Sequence, residues 1–247
     1  MTFQDHFSGH ASTYAASRPT YPPELFEWVA ATAPGLEHVL DCGTGNGQAA
    51  VALGEHFASV TAIDPSASQI AAAAPHPNVS YHVAPGESAP VDDASVDALT
   101  VAQALHWFDL DAFGREAQRV VRPGGLLAAW SYAISTVDEA VDAVVEALYE
   151  GTLGPYWPDR RRHVEAGYAT LEIPGEPVVA PPVAMEVLWT SGQYAAYLRS
   201  WSATQRYIRE RGDDPVAAME GELARAFGTD QPRRVRWPLH IKATQIG

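Results

Sequence analysis

Three glycines at alternate positions follow a short apolar run and an aspartate, in the segment Val39-Leu40-Asp41-Cys42-Gly43-Thr44-Gly45-Asn46-Gly47. Residues 38–40 predict the end of a buried strand, and residues 48–55 carry apolar side chains at helical spacing, so the glycines lie in the turn between strand and helix. Glycine is needed where the backbone takes a positive φ or where a bound molecule lies against the main chain. The following helix offers unpaired N–H groups in its first turn. The segment therefore predicts a turn that binds a ligand.

An acidic residue at the strand end distinguishes this turn from a dinucleotide-binding turn. The dinucleotide fingerprint is G-x-G-x-x-G with a pyrophosphate at the helix N-terminus, whereas this segment is D-x-G-x-G-x-G. The Asp41 carboxylate disfavours a pyrophosphate, because like charges repel. It suits a ligand with positive charge, such as the ammonium and sulfonium groups of S-adenosylmethionine (AdoMet).

The segment DCGTGNG resembles the first motif of the class I AdoMet-dependent methyltransferases. The resemblance implies that AdoMet is the cofactor. It also implies that five residues of the segment bind it: Asp41, Gly43, Thr44, Gly45 and Gly47.

A second acid follows the next predicted strand, residues 58–63, in the sequence Asp64-Pro65-Ser66. Asp64 is placed to accept hydrogen bonds from both ribose hydroxyls of the cofactor, as in dinucleotide folds, and Pro65 beside it is expected to contact the cofactor as well. The alternative is that Asp64 caps a predicted helix at residues 66–74. Two acids at two adjacent strand ends favour ribose binding.

A departure from the family pattern follows the third predicted strand, residues 79–83. The family usually has G-D-A-E-x-L-P here, and its acid contacts the adenine amino group, but Pro85 holds that position in this chain. Proline has neither a carboxylate nor a backbone N–H. Adenine recognition is therefore assigned to the backbone of Gly86 and Glu87, or to the Glu87 side chain.

The acceptor pocket is predicted after the fourth strand, residues 96–102, where Gln103, His106 and Trp107 follow. Gln103 is expected to contact the cofactor as well. Of the three, His106 alone titrates near neutrality and is the candidate catalytic base, although a carboxylate acceptor would need none. The alternative is that His106 and Trp107 only pack against the next helix, residues 109–121. Tyr197 and Trp201, from a later helix, are expected to cover the pocket.

The segment YAASRPTYP near the N-terminus resembles the leader of a methyltransferase subgroup that includes enzymes of the trans-aconitate type. Under that resemblance Tyr14 and Arg18 bind the cofactor at its methionine end, and Arg18 could hold a carboxylate. The alternative is an arm that docks on the surface. A helix at residues 24–32 follows, opened by Pro22 and Pro23.

The order of elements predicts an α/β fold with a Rossmann-like, seven-stranded, mostly parallel sheet, helices on both faces and an antiparallel last strand. The R-P-G-G sequence at residues 122–125 predicts a tight turn before a fifth strand at 126–130, and it extends the resemblance to about half of the chain. Later runs predict helices at 137–149, 191–211 and 215–227, a connection at 173–182, and a closing antiparallel pair of strands at 183–189 and 235–242. We expect one methyltransferase domain, 1–247, divided into an N-terminal cover (1–35), an AdoMet-binding core (36–132), and a helical cover with the closing strand pair (133–247).

Composition limits the partners. The chain has 16 basic and 30 acidic residues and a formal net charge of −14, which disfavours nucleic acid and favours a small-molecule substrate. The single cysteine fits a reducing compartment, and neither a signal peptide nor a long apolar run is present, so a cytoplasmic protein without a membrane span is expected, as a monomer or homodimer. The histidine spacing predicts no metal site.

Together these patterns predict an AdoMet-dependent methyltransferase that acts on a small molecule, with O-methylation of a small carboxylic acid as one candidate reaction. One alternative is a nicotinamide-dependent oxidoreductase, which Asp41 disfavours. The other is a catalytically silent AdoMet-binding regulatory protein, which the sequence does not separate from an enzyme, because methyl transfer requires no particular side chain.

Overall fold

A seven-stranded sheet lies at the centre of the protein. The computed structural model describes residues 19–228 and 230–247. The sheet has the order β3-β2-β1-β4-β5-β9-β6, and β1 to β5 are parallel while β9 and β6 are antiparallel to their neighbours. The predicted fold class is confirmed. The strands are β1 His38–Cys42, β2 Ser59–Asp64, β3 Val79–Val83, β4 Val96–Ala102, β5 Val121–Ser131, β6 Glu176–Pro177 and β9 His240–Gln245.

Helices surround the sheet, and their ends carry expected capping residues. Pro23 opens the first helix at a first-turn position, Asp109 accepts a hydrogen bond from Ala112 N–H at the start of another, and Thr190 forms a capping box with Gln193. The helices are α1 Pro23–Thr32, α2 Gln48–Gly54, α3 Ala67–Ala71, α4 Leu110–Val120, α5 Glu139–Glu146, α6 Arg161–Glu165, α7 Ser191–Arg199, α8 Ser202–Arg211 and α9 Pro215–Phe227. Short turns of 3-10 helix span Leu105–Trp107 and Gly154–Tyr156, and a π-helical turn spans Ala147–Thr152.

The sheet separates two apolar cores. Successive strand residues point to opposite faces, so Val39 belongs to the core beneath α1 and α2, whereas Leu40 belongs to the core beneath α4. Leu126 and Leu127 divide in the same way on β5. Burial on both faces explains why the central strands are mostly apolar and do not alternate between apolar and polar residues.

The two strands predicted to close the central sheet as an antiparallel pair have other partners in the structure. The run 183–189 forms β7 Ala184–Trp189, but β7 pairs with β8 Arg233–Pro238 in a separate two-stranded sheet. The predicted last strand, 235–242, is two strands that meet at Leu239, and only β9 joins the central sheet, beside β5. Pro238 ends β8, because proline has no N–H to donate to a continuing ladder. The edge strand β6 comes instead from the connection 173–182.

Other boundaries also differ from prediction. The helix predicted at 66–74 ends at Ala71, and none of its residues is buried, so no packing extends it. The R-P-G-G segment lies inside β5, where the pairing shifts from Val96 with Val121 to Ala98 with Leu126.

The helix predicted at 191–211 is interrupted at Trp201, whose backbone is extended. At this break the Thr204 hydroxyl donates to the Leu198 carbonyl, and the Gln205 amide donates to the Arg199 carbonyl, so the groups freed by the interruption are satisfied. Among the described residues, no helix combines the length and apolar character that crossing a membrane requires.

Candidate active site

The carboxyl ends of β1, β2 and β4 meet at one edge of the sheet. Cys42 at the end of β1 is paired in register with Ile63 of β2, and Asp41 is paired with Thr100 of β4. Asp64, the last residue of β2, is thus brought to the same edge as Asp41. Ligands of open parallel sheets bind at this edge.

The glycine turn after β1 has a left-handed backbone at all three glycines, with φ of +69° at Gly43, +56° at Gly45 and +86° at Gly47. A Cβ on Gly43 would lie 2.5 Å from Ala104 Cβ, and one on Gly47 would lie 2.3 Å from the Tyr81 hydroxyl. A Cβ on Gly45 would meet no atom within 4 Å. Packing therefore requires the first and third glycines, and the middle glycine borders open space that a ligand can use.

Asp41 is fully buried at the floor of this turn. Its Oδ1 accepts a hydrogen bond of 2.8 Å from the Thr100 hydroxyl. The buried Thr44 hydroxyl lies beside this carboxylate, and neither Asp41 Oδ2 nor Thr44 Oγ1 has a hydrogen-bond partner elsewhere in the described part of the chain. Burial raises the pKa of Asp41 to about 6, against the lowering effect of the Thr44 and Thr100 hydroxyls. Two neighbouring buried polar atoms without further partners fit a polar, positively charged ligand group such as the AdoMet ammonium.

Asp64 lies directly below the glycine turn. Its Oδ2 accepts a hydrogen bond from Gly45 N–H at 2.9 Å, and its Oδ1 accepts one from Ser66 N–H at 2.8 Å. The Asp64 carboxylate therefore also helps to hold the glycine turn in position. The N-cap of α3 is Ser66, which accepts from Gln69 N–H. The alternative interpretation of Asp64 as that cap is therefore wrong, and Pro65, half-buried, separates the two residues.

The predicted adenine-binding segment packs against the start of α4. Glu87 Oε1 accepts a hydrogen bond of 2.8 Å from Asp109 N–H, and a Cβ on the buried Gly86 would lie 2.9 Å from the Phe108 ring. One carboxylate oxygen of Glu87 is thus already engaged in a hydrogen bond within the protein. The backbone of Gly86 and Glu87 remains the better candidate for contact with adenine.

Gln103 follows β4 with a φ of +57°, which is uncommon for a residue with a Cβ. Two hydrogen bonds to β5 and its extension hold this conformation. Its backbone N–H donates to the Trp130 carbonyl and its side-chain amide donates to the Tyr132 carbonyl, each at 2.9 Å. The side chain consequently has a defined position at the wall of a cavity.

That cavity, of about 100 Å³, brings together the residues that were predicted from separate parts of the chain. Gln103, His106, Trp107, Tyr197 and Trp201 all line it. The other lining residues, which include Trp157 and Arg161, were missed from the sequence. The three consecutive arginines at 160–162 could have indicated an anion site, but they lie in a passage whose sequence has no clear secondary-structure pattern.

His106 is held as a neutral side chain. Burial lowers its pKa to about 3, and the nearby positive groups Arg161, His163 and Arg160 lower it further. Its Nδ1 lies 3.0 Å from the hydroxyl of Tyr168, whose pKa is raised by burial, so the phenol keeps its proton.

The Tyr168 hydroxyl also meets the backbone N–H groups of Leu105 and His106, which can only donate, so Nδ1 of His106 is the acceptor that these contacts offer to its proton. Nδ1 is then the acceptor and Nε2 carries the hydrogen of the imidazole. A neutral donor with so low a pKa is poorly suited to act as a base near pH 7. The catalytic role of His106 stays a prediction, and this environment counts against it.

Two predicted cofactor residues, Tyr14 and Arg18, lie outside the described residues. Across residues 19–228 and 230–247, no group of three or more histidine, cysteine or acidic side chains is arranged to hold a metal ion.

Comparisons with known proteins agree on one kind of protein. A family model described as a methyltransferase domain matches residues 40–129. A candidate methyltransferase of Dictyostelium discoideum is 31% identical over 231 residues, which are 92% of this chain and 88% of that protein. A candidate S-adenosylmethionine-dependent methyltransferase of Saccharomyces cerevisiae is 24% identical over 241 residues, 83% of each chain. The solved structure of a candidate type II methyltransferase from Anaeromyxobacter dehalogenans is 46% identical, covers 93% of this chain and 98% of its own, and superposes with a TM-score of 0.88.

Proposed function

The chain belongs to the class I AdoMet-dependent methyltransferases, and on that premise we propose that it methylates a small molecule bound in the cavity beside Gln103. The observation that carries the proposal is that a candidate cofactor site and a cavity lie at the same edge of the sheet. A buried Asp41 carboxylate oxygen and the buried Thr44 hydroxyl, which have no partner beyond each other in the described residues, lie at the end of β1, and the cavity opens after the adjacent strand β4. A cofactor and an acceptor bound at these two places share one edge of the sheet.

We assign the cofactor contacts as follows. Asp41 and Thr44 bind the methionine ammonium, Asp64 binds the ribose, and the backbone of Gly86 and Glu87 binds the adenine. Tyr14 and Arg18 remain assigned to the methionine end by resemblance alone. When bound, AdoMet supplies a methyl group on a positively charged sulfonium, whose sulfur leaves as a neutral thioether.

The protein's contribution is alignment and exclusion of water. Trp107, Trp157 and Trp201 line the cavity, and Gln103 is fixed at its wall by the hydrogen bond to the Tyr132 carbonyl. His106 offers a neutral N–H, and no lining residue in the described chain is an acid. An acceptor atom that is already deprotonated needs no base, which supports an oxygen of a small carboxylic acid as the methylated atom.

The remaining parts of the proposal concern the whole molecule. We assign the chain to one methyltransferase domain with the three segments given above. A small acceptor is favoured over nucleic acid by the net charge of −14. A cytoplasmic location fits the lone, buried thiol of Cys42.

Isothermal titration with AdoMet and NADH tests the cofactor assignment. The wild-type protein should bind AdoMet and not NADH, and Asp64→Ala should weaken AdoMet binding by about tenfold or more, because ribose hydroxyls lose a charged acceptor. Asp92→Ala is the control, since Asp92 is exposed and its carboxylate makes no hydrogen bond or ion pair with a described residue. An unchanged affinity in Asp64→Ala, with comparable NADH binding, would refute the assignment.

Turnover separates an enzyme from a silent AdoMet-binding protein. Formation of S-adenosylhomocysteine is measured against a panel of small carboxylic acids, amines and phenols. Methylation of one class supports the proposal, and AdoMet binding without methylation of any member supports the silent protein.

A further inference from the structure

Arg161 places a cation at the wall of the cavity. Its Nε donates a hydrogen bond of 2.8 Å to the Tyr149 hydroxyl. Its two terminal nitrogens, Nη1 and Nη2, make neither a hydrogen bond nor an ion pair with any described residue. The half of the guanidinium that can form a two-pronged contact is therefore left for a ligand.

Aromatic contacts hold the guanidinium in place. The Arg161 Cζ lies 4.9 Å from the centre of the Trp157 ring and 5.6 Å from that of Tyr149. The Tyr149 hydroxyl in turn donates to Glu165, and Trp157 Nε1 donates to the Tyr149 carbonyl at 3.1 Å. A guanidinium fixed by stacking and by its Nε loses little conformational freedom when it binds an anion.

The charges around the cavity favour an anion. Arg161 is the single cationic side chain among the described lining residues, and no acid stands beside it there to neutralise it. This is notable in a chain with 30 acidic and 16 basic residues. Glu165 reaches Arg161 only through the Tyr149 hydroxyl, so it orients the guanidinium without pairing with it directly.

We propose that Arg161 binds a carboxylate of the acceptor through Nη1 and Nη2, with the His106 Nε2–H as a second donor in the same cavity. This inference rests on the proposed function and assigns its substrate class. Hydrogen bonds from a guanidinium stabilise the negative charge of the bound oxygens and lower their nucleophilicity. The carboxylate at Arg161 is therefore an anchor, and the methylated oxygen belongs to a second carboxylate of the same acceptor.

Matched ligand pairs test the anchor without knowledge of the natural acceptor. Calorimetry on the protein saturated with S-adenosylhomocysteine compares dicarboxylates of three to six carbons with their diamides, which are similar in shape and have no carboxylate for Arg161 to bind. The wild type should prefer at least one dicarboxylate by about tenfold to a hundredfold, the range expected for a charged hydrogen-bonded pair. Arg161→Gln should abolish this preference, and Arg161→Lys should restore part of it.

Arg162→Gln is the matched control, because it removes the same charge from an exposed neighbour on α6. It should keep the wild-type preference. A wild type that does not prefer the dicarboxylate in any pair, or an Arg161→Gln protein that keeps the preference, overturns the inference. If Arg161→Gln does not fold, a preference in Arg161→Lys equal to that of the wild type overturns it, because a lysine lacks the two-pronged geometry.

The titration of AdoMet itself, carried out first on every variant, separates the two proposals. All variants should bind AdoMet as the wild type does. Failure of the wild type to bind AdoMet refutes the proposed function, whereas AdoMet binding without a dicarboxylate preference refutes only the anchor.

Discussion

Asp41 and Thr100 are register partners on the neighbouring strands β1 and β4, and the Thr100 hydroxyl donates a hydrogen bond of 2.8 Å to Oδ1 of the buried Asp41. The second carboxylate oxygen has no partner in the described chain beyond the neighbouring Thr44 hydroxyl. Burial raises the pKa of Asp41 to about 6, so the charged form present at neutral pH costs the ligand-free protein stability. The Asp41 carboxylate, which we assign to the ammonium of the cofactor, is thus poorly stabilised in its charged form by the protein alone.

Asp41→Asn should therefore stabilise the ligand-free protein at pH 8 while weakening AdoMet binding. The pKa is raised above its ordinary 3.8, so the native state holds a proton that the unfolded state has lost, and stability falls as pH rises through about 6. Asparagine removes this loss and can still accept from Thr100. We expect a gain in unfolding free energy of about 1–3 kcal/mol at pH 8, measured by urea denaturation, and about tenfold weaker AdoMet binding.

The gain should disappear near pH 4, where the native carboxyl is protonated. Asp92→Asn, at an exposed position, should change neither quantity. A gain that is equal at both pH values would show that the effect does not come from the ionisation of Asp41.

Gly45→Ala tests whether the open side of the glycine turn is a ligand site. Gly45 and Gly212 both have a positive φ, and an added Cβ would meet no atom within 4 Å at either, so alanine should cost about 1–2 kcal/mol of stability at both positions through backbone strain. Gly212 follows α8, at the helix end, and serves as the control. Only Gly45→Ala should weaken AdoMet binding in calorimetry, and equal affinities in the two variants would contradict a ligand at Gly45.

The pH dependence of turnover tests the role of His106. Because burial lowers its pKa to about 3, we expect no activity limb near pH 6–7 that depends on this residue. His106→Gln keeps an N–H near the Nε2 position and should retain activity within about threefold, whereas His106→Leu loses the donor and should fall by about tenfold. The measurements are pH–rate profiles and ¹⁵N NMR of the imidazole, in which Nε2 should be protonated. A limb near pH 6–7 that disappears in His106→Gln would instead identify a base.

Removal of residues 1–18 tests the resemblance that assigns Tyr14 and Arg18 to the cofactor. The described elements begin with α1 at Pro23 and β1 at His38, so the shortened protein keeps all of them. We expect an unchanged melting temperature and weaker AdoMet binding or lost turnover. Full affinity and activity in the shortened protein would favour the alternative of an arm on the surface.

Sequence reasoning succeeded where local chemistry determines the structure. The bounds of β3, β4 and α9 agree with prediction. The mostly apolar sequence of β4 fits its burial on both faces, and the edge strand β3 has the valine and tyrosine residues that favour strands. The helix α9 carries Asp214 as its cap, Pro215 in its first turn and Gly228 at its end. The glycine turn and its flanking acids were located for the same reason, since a positive φ restricts the residue type at each position.

Tertiary structure decided which elements are neighbours and what environment each side chain has. An alternating pattern shows that 183–189 is a strand but not that β8 is its partner, because strand pairing depends on hydrogen bonds between distant segments. The pKa of His106 depends on burial and on α6, and Tyr168 lies 62 positions away in the sequence. Arg161 became a candidate anchor only when folding placed it on the cavity with its terminal nitrogens unpaired, since neither charge pairing nor exposure of a side chain is determined by its own segment of sequence.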